Sequence, residues 1–228
     1  MSVIQSFVKK LLQDALNVER DEGFHHLFLL SQVALETGWL KHVSKDEITN
    51  EDSKNLFNIK GSYNGEYVTI LTTEYDKNKV PYKIKDKFRK YPSYEESIKD
   101  WVKLLKTSRY KLAYDNRHDL VKLTEYIHKC GYATDPNYVT KILNIANTIE
   151  KEIYKLNNDR KVLKIGDKGN DVKKLQEQLL KLKYNVGDID GIFGEKTKQA
   201  LMNFQKDNQL TVDGIAGNNT YFELNKLK

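Results

Sequence analysis

Apolar side chains recur at helical intervals through most of the first 155 residues. In the opening MSVIQSFVKKLLQDAL they fall at Val3, Ile4, Phe7, Leu11, Leu12 and Leu16, the spacing of an amphipathic helix. His26–Leu35 is almost wholly apolar, which predicts a buried helix stopped by Gly38 and Trp39. Ile98, Trp101, Val102 and Leu105 form one face of a further helix, with Ser93 as N-cap and Glu96 completing a capping box. Residues 137–155 repeat the pattern at Val139, Ile142, Leu143, Ile145, Ala146, Ile149 and Ile153, in a helix expected to open at Asp135-Pro136. Between these helices the helical period disappears. Asn64-Gly65 is a hairpin-type turn signal, and β-favouring residues alternate over Glu66–Tyr75 and Val80–Ile84 around a polar turn at Asp76–Lys79. The predicted fold class is mainly α with a small β-hairpin.

The pattern changes after LNNDRK, residues 156–161, which read as a short polar linker. All three prolines precede it, whereas seven of the twelve glycines follow Lys161. The expected division is a first domain at 1–155, the linker at 156–161 and a second domain at 162–228. The second domain contains an internal repeat: DGIFGEKT at 190–197 and DGIAGNNT at 213–220 share Asp, Gly, Ile, Gly and Thr. Each reads as a tight turn opening a helix, the glycine permitting positive φ and the Asp side chain accepting backbone N–H groups. Val172, Leu175, Leu179 and Leu182 mark one helix face, and Ala200, Leu201 and Phe204 another, so a small three-helix unit is predicted. Its GDKGNDV opening at 166–172, Leu175-Gln176, both DGI motifs, Thr197, Ala200 and Phe204-Gln205 make it resemble the peptidoglycan-binding domain of bacterial and phage wall hydrolases. Most of these residues are turn glycines, caps and core apolars, so they nominate no contact residues.

Composition narrows the class. With 39% hydrophobic and 31% charged residues the 228-residue chain is a globular protein, and no apolar run approaches the roughly 20 residues of a membrane span. A net charge of +6 draws a protein toward polyanions such as nucleic acid, an anionic membrane face or an acidic wall. Only five of the cations are arginines, which argues against base-specific nucleic-acid reading. Cys130 is the lone cysteine, so no disulfide can form within the chain, and a buried structural thiol is expected. The five histidines, His25, His26, His42, His118 and His128, form no HExxH grouping. His25 and His26 are expected on different helix faces, and neither a metal nor another cofactor is predicted.

The segment SQVALETGWL, residues 31–40, holds the strongest candidate for chemistry. Glu36 falls in the last turn of the buried helix, where the partial negative charge of the helix end and apolar neighbours such as Trp39 oppose ionisation. A glycosidase arranges such surroundings for its general acid; the competing reading is a solvated helix-end charge. Glu74, in the strand end TTEY, supplies a second carboxylate, with Glu66 a competitor more suited to a solvated turn flank. Tyr132 and Tyr138, in the loop GYATDPNY, offer rings that stack on sugars and hydroxyls that bond them.

In order, SQVALETGW, NLFNIKGSYNGE, TTEYDKN, KFRKYPSYEESIKDW and GYATDPNYVTKI resemble the bacterial glucosaminidases of glycoside hydrolase family 73, over about residues 5–150. The resemblance implies a lysozyme-like α+β fold and cleavage of the β-1,4 bond between N-acetylglucosamine and N-acetylmuramic acid in peptidoglycan. It implies Glu36 as general acid, Glu74 as the hairpin carboxylate, and Phe57 and Tyr132 lining the groove, with Tyr138 beside them. Asn58 departs from the usual glycine and Thr37 from the usual serine. Glu74 could position water, giving inversion, or steady an intermediate formed by the substrate's own acetamido group. A lytic transglycosylase, a muramidase and a non-enzymatic wall-binding protein stay open as alternatives. The expected context is a monomeric phage-type endolysin, or less readily an autolysin. It would be made in the host cytoplasm without a signal peptide and act at the cell wall on glycan chains, with no nucleic-acid partner and no membrane insertion.

Overall fold

The computed structural model describes residues 1–158 and 161–227. Two compact units, Met1–Glu150 and Lys151–Lys228, divide the chain. In the first unit α1 (Val3–Glu22), α2 (His26–Thr37), a β-hairpin, α3 (Tyr94–Leu105), the short α4 (Lys111–Asp115), α5 (Leu120–Lys129) and the start of α6 (Tyr138–Asn158) follow in order. This is the expected class, helical with one hairpin. The unit boundary falls inside α6, which continues through residues 156–158 of the expected linker. Residues 159–160 of that linker lie outside the described residues.

Helix α2 is the centre of the first unit because it is apolar on nearly every side. Ten of its twelve residues are buried, among them Phe28, Leu29, Leu30 and Val33. Leucine and phenylalanine on most faces leave such a helix little solvent side before its last turn, and α1 and α5 pack against it. Its end is set by Gly38, at φ 56°, whose N–H bonds back to Ala34 O. Trp39 and Leu40 also take positive φ (65° and 68°), and Thr37 Oγ1 accepts the Leu40 N–H at 2.9 Å. A Cβ on Gly38 would lie 2.9 Å from His42 Cδ2, so the turn demands glycine on both backbone and packing grounds.

The hairpin pairs β1 (Tyr67–Tyr75) with β2 (Pro81–Arg89), Tyr67 opposite Arg89 and Tyr75 opposite Pro81. Strand β2 runs five residues past the predicted Ile84, because Lys85–Arg89 hide their strand character behind alternating charges. Backbone bonds from Gly61 N to Lys87 O and from Arg89 N to Ile59 O add the segment 59–61 beside that end. Within the strands only Val68 and Phe88 are buried, so the hairpin is rooted at its base. Two further expectations need correction. Ser93 caps α3 by accepting the Glu96 N–H, but the Glu96 carboxylate accepts the Tyr63 hydroxyl at 2.6 Å, so the capping box is only half formed. Helix α6 begins at Tyr138 and not at Pro136, because Asp135 accepts the N–H groups of Asn137 and Tyr138 and makes a turn first.

The second unit packs α7 (Asn170–Lys181), α8 (Glu195–Asp207) and α9 (Asn218–Lys226) around Leu175, Leu179, Phe193, Leu201, Phe204 and Leu224. Each DGI loop is locked by a buried glutamine from the preceding helix. Gln176 Nε2 donates to Asp190 Oδ1, Ile192 O and Thr197 Oγ1, while its Oε1 accepts Gly191 N–H. Gln205 makes the same set with Asp213 Oδ1, Ile215 O, Thr220 Oγ1 and Gly214 N–H. The repeat is thus a hydrogen-bond knot made twice. Gln205→Leu should destabilise the second unit by about 2 kcal/mol, since it strands buried donors and acceptors. Both tryptophans lie in the first unit. Urea unfolding of the full chain should therefore show an earlier circular-dichroism transition with the tryptophan-fluorescence transition unmoved, and an unmoved circular-dichroism transition would refute the knot's role.

Candidate active site

Glu36 stands on the last turn of α2, one turn beyond Gln32. Its Oε1 accepts a hydrogen bond from Gln32 Nε2 at 2.8 Å and from the Tyr132 hydroxyl at 3.3 Å. Gln32 is fully buried and its Oε1 accepts the Tyr138 hydroxyl at 2.7 Å. The Tyr132 oxygen accepts from Trp101 Nε1 at 3.2 Å and from Gln32 Nε2 at 3.3 Å, which leaves its proton for Glu36. Burial first, and then the nearby Glu36 charge, push the Tyr132 phenol well above its ordinary value. Burial likewise raises Tyr138, with Tyr132 and Glu36 adding to it. Both phenols therefore remain donors across the whole physiological range.

The burial expected for Glu36 itself is absent. The helix is buried, but Glu36 lies on its exposed side next to exposed Leu35. Trp39, expected beside the carboxylate, packs edge-on against Phe7 of α1 with ring centroids 5.2 Å apart. Amide and phenol donors, not apolar neighbours, surround Glu36. Aromatic rings continue the surface. Half-buried Phe57 stacks on Trp101 at 4.4 Å and 8°, and Tyr132 meets the same indole edge-on at 5.8 Å.

The other expected site residues divide. Tyr132 is half-buried and touches Glu36 directly. Tyr138 is only 3% exposed, so its ring cannot stack on a sugar, and its hydroxyl is spent on Gln32. It acts from behind the carboxylate. Glu74 projects from β1 on the face that carries Val68, and Lys60 Nζ lies 2.5 Å from its Oε1 and 2.9 Å from Asp86 Oδ2. Glu66 is exposed beside the Asn64-Gly65 turn, as expected of a turn flank. Asn58 takes φ 51°, which explains why glycine suits its position and why asparagine, tolerant of that region, replaces it. Cys130 is half-buried, not buried as expected.

Sequence reading missed the polar brace beneath the hairpin. Arg89 at the end of β2 pairs with Asp100 of α3, which also accepts the Tyr91 hydroxyl at 2.8 Å. Burial opposes the Asp100 charge, but hydrogen bonds from Tyr91, Lys103 and Arg89 outweigh it and hold that carboxyl below its usual range. Nothing in the spacing of Arg89, Tyr91 and Asp100 distinguishes them from surface charges. Only folding of β2 onto α3 joins them.

Residues 12–151 match the family model Glucosaminidase, described as mannosyl-glycoprotein endo-β-N-acetylglucosaminidase, and residues 168–223 match a peptidoglycan binding domain model. The peptidoglycan hydrolase FlgJ of Vibrio cholerae is 40% identical over 154 residues, covering 66% of this chain and 45% of that protein. The chain thus matches about half the length of such curated relatives. The glycoside hydrolase domain of Salmonella typhimurium FlgJ is similar in structure, with TM-score 0.58, 30% identity and coverage of 68% of this chain and 93% of that one. The catalytic domain of the autolysin Auto from Listeria monocytogenes gives TM-score 0.56 at 31% identity, covering 66% and 86%.

Among the described residues, Glu19, His25 and His26 bring ligand-type atoms within 4.8 Å of one another. The expectation that the two histidines face apart is wrong: His25 is the N-cap of α2, and its ring stacks on His26 at 5.0 Å. The three groups already bond locally. His26 Nδ1 lies 2.9 Å from Glu19 Oε2, its N–H donates to Glu19 Oε1, and His25 Nδ1 accepts the Leu27 N–H. These bonds join α1 to the start of α2. A ligand of the native state raises the unfolding midpoint. Treatment with EDTA, and then addition of zinc, is expected to leave that midpoint in place, which differential scanning calorimetry would check.

Proposed function

The chain belongs to the glucosaminidase family, and from that premise we propose that it hydrolyses the β-1,4 bond on the reducing side of N-acetylglucosamine in peptidoglycan. One observation carries this reading: an exposed carboxylate, Glu36, held by Gln32 and Tyr132 beside the Phe57–Trp101 stack. A glycan lying against the half-buried rings of Phe57 and Tyr132 would cover Glu36 and exclude water, the condition under which a carboxylic acid keeps its proton. Glu36 then donates that proton to the leaving oxygen. Glu74 either positions water on the opposite face or steadies an intermediate formed by the substrate acetamido group. Tyr132 fixes the approach of the acid, and Tyr138 holds Gln32, which in turn holds the acid.

The relatives named FlgJ are peptidoglycan hydrolases by name, and the substrate comes to this chain through them and through the second unit. A peptidoglycan binding domain would keep the enzyme near an insoluble substrate and raise the local concentration of cleavable bonds. Among the described residues no helix is long and apolar enough to cross a membrane. We read the site of action as the cell wall, in an endolysin or autolysin acting as a single chain.

Digestion of purified peptidoglycan, borohydride reduction and mass spectrometry of the new ends test the bond. Reduced glucosamine ends are expected. Reduced muramic acid would indicate a muramidase, and 1,6-anhydro ends a lytic transglycosylase. Glu36→Gln is expected to lower turnover by at least about a thousandfold, within the range that general acids supply, while sedimentation with walls is unchanged. A Glu36→Gln enzyme that still clears walls would remove Glu36 from the reaction.

A further inference from the structure

The hairpin poses a mechanical problem. Its base is secured by buried Val68 and Phe88, whereas the outer part carries no buried residue. Tyr75, Val80 and Tyr82 near the tip are 66%, 56% and 48% exposed. Glu74 belongs to this outer part, opposite Tyr82. Among the described strand residues none beyond the base is buried, so core packing does not fix where that carboxylate stands.

Lys60 is placed to do so. Its backbone bridges Phe88 at the hairpin base. The residue before it, Ile59, is gripped by Asn55, which is 1% exposed. The Asn55 side chain accepts the Ile59 N–H at 3.0 Å and donates to the carbonyls of Ile59 and Arg89 at 2.9 and 3.1 Å. From this fixed root the ammonium reaches along the same face of the sheet to Asp86 and Glu74, 2.9 and 2.5 Å away. Asp86 lies midway along the face, opposite Ile70, so one cation ties the base, the middle and the outer hairpin together. Each carboxylate strengthens the hold, and the pair with Lys60 keeps Asp86 below the usual carboxylate range.

We propose that Lys60 is a positioning residue that holds the hairpin carboxylate Glu74 in place by a three-point ion bridge with Asp86. This rests on the reading of Glu74 as the second carboxylate of the reaction. Exposed ion pairs contribute little to global stability, so the bridge acts on local placement and not on folding. Its loss should therefore appear in turnover and in hairpin opening, with the unfolding midpoint nearly unchanged.

Lys60→Met, Lys60→Arg and Glu74→Gln in the full-length chain test this, using soluble peptidoglycan fragments for kinetics and amide hydrogen exchange over residues 72–84. Expected for Lys60→Met is a kcat lower by about tenfold with KM unchanged, together with faster exchange in the hairpin and an unshifted midpoint. Lys60→Arg, which keeps the charge and can bridge two carboxylates, should restore both readouts. If Lys60→Met leaves kcat or hairpin exchange at the parent value while Glu74→Gln is impaired, the bridge is overturned and the role of Glu74 stands. If Glu74→Gln keeps full kcat, the second-carboxylate reading fails and takes this inference with it.

Discussion

The buried amide of Gln32 joins Glu36, Tyr132 and Tyr138, the groups of the proposed active site. It leaves the central helix α2 one turn before Glu36, and its two sides face opposite duties. The nitrogen donates to Glu36 and to Tyr132, and the oxygen accepts Tyr138 from the start of α6. An amide sealed from water must satisfy both ends within the protein. That demand draws the 131–138 loop against the end of α2. The orientation of the exposed acid is thereby set in part by Gln32 and Tyr138, both buried behind it.

A comparable device organises the second unit, where chemistry is not at issue. Gln176 and Gln205 each sit on a helix, fully enclosed, and each ties down the loop that opens the following helix. A small unit buries limited apolar area, so it gains from polar groups that pair completely and specify one loop geometry. The turn glycines alone permit the loop; the glutamine selects it. The two units thus use one solution for different ends, orientation of an acid in one and closure of a turn in the other.

The hairpin follows the opposite principle. Beyond buried Val68 and Phe88 at its base, the hairpin and the residues that flank it meet the rest of the first unit through polar bonds, Arg89 and Tyr91 to Asp100, and Tyr63 to Glu96. Such contacts hold direction while leaving the outer strands clear of the core. The proposed role of Glu74 against a bulky polymer suits this placement, since a hairpin packed tightly on the core would leave no room for a glycan.

Periodicity alone determined much. An almost wholly apolar decamer predicted a buried helix, alternation over 66–84 predicted a hairpin that closes at Asp76–Val80 and not at Asn64-Gly65, and a repeated DGI turn marked a separate helical unit. The local pattern put Glu36 at the end of a helix and Glu74 on the first strand, where the structure has them, while the roles of Glu36, Glu74, Phe57 and Tyr132 came only with the resemblance. What local pattern could not carry is which way a side chain faces at the end of a buried helix, and which distant groups meet it. Glu36 was expected in apolar surroundings because apolar residues flank it in sequence, yet it stands on the exposed side of the helix and Trp39 turns to Phe7. Tyr138 was expected at the surface and is enclosed, and Lys60 and Asp86 were unremarkable charges until the sheet set them on one face. Helical and strand periods are short-range properties written in consecutive residues. Hydrogen bonds between residues 32 and 138, or 60 and 74, exist only once the chain has closed on itself.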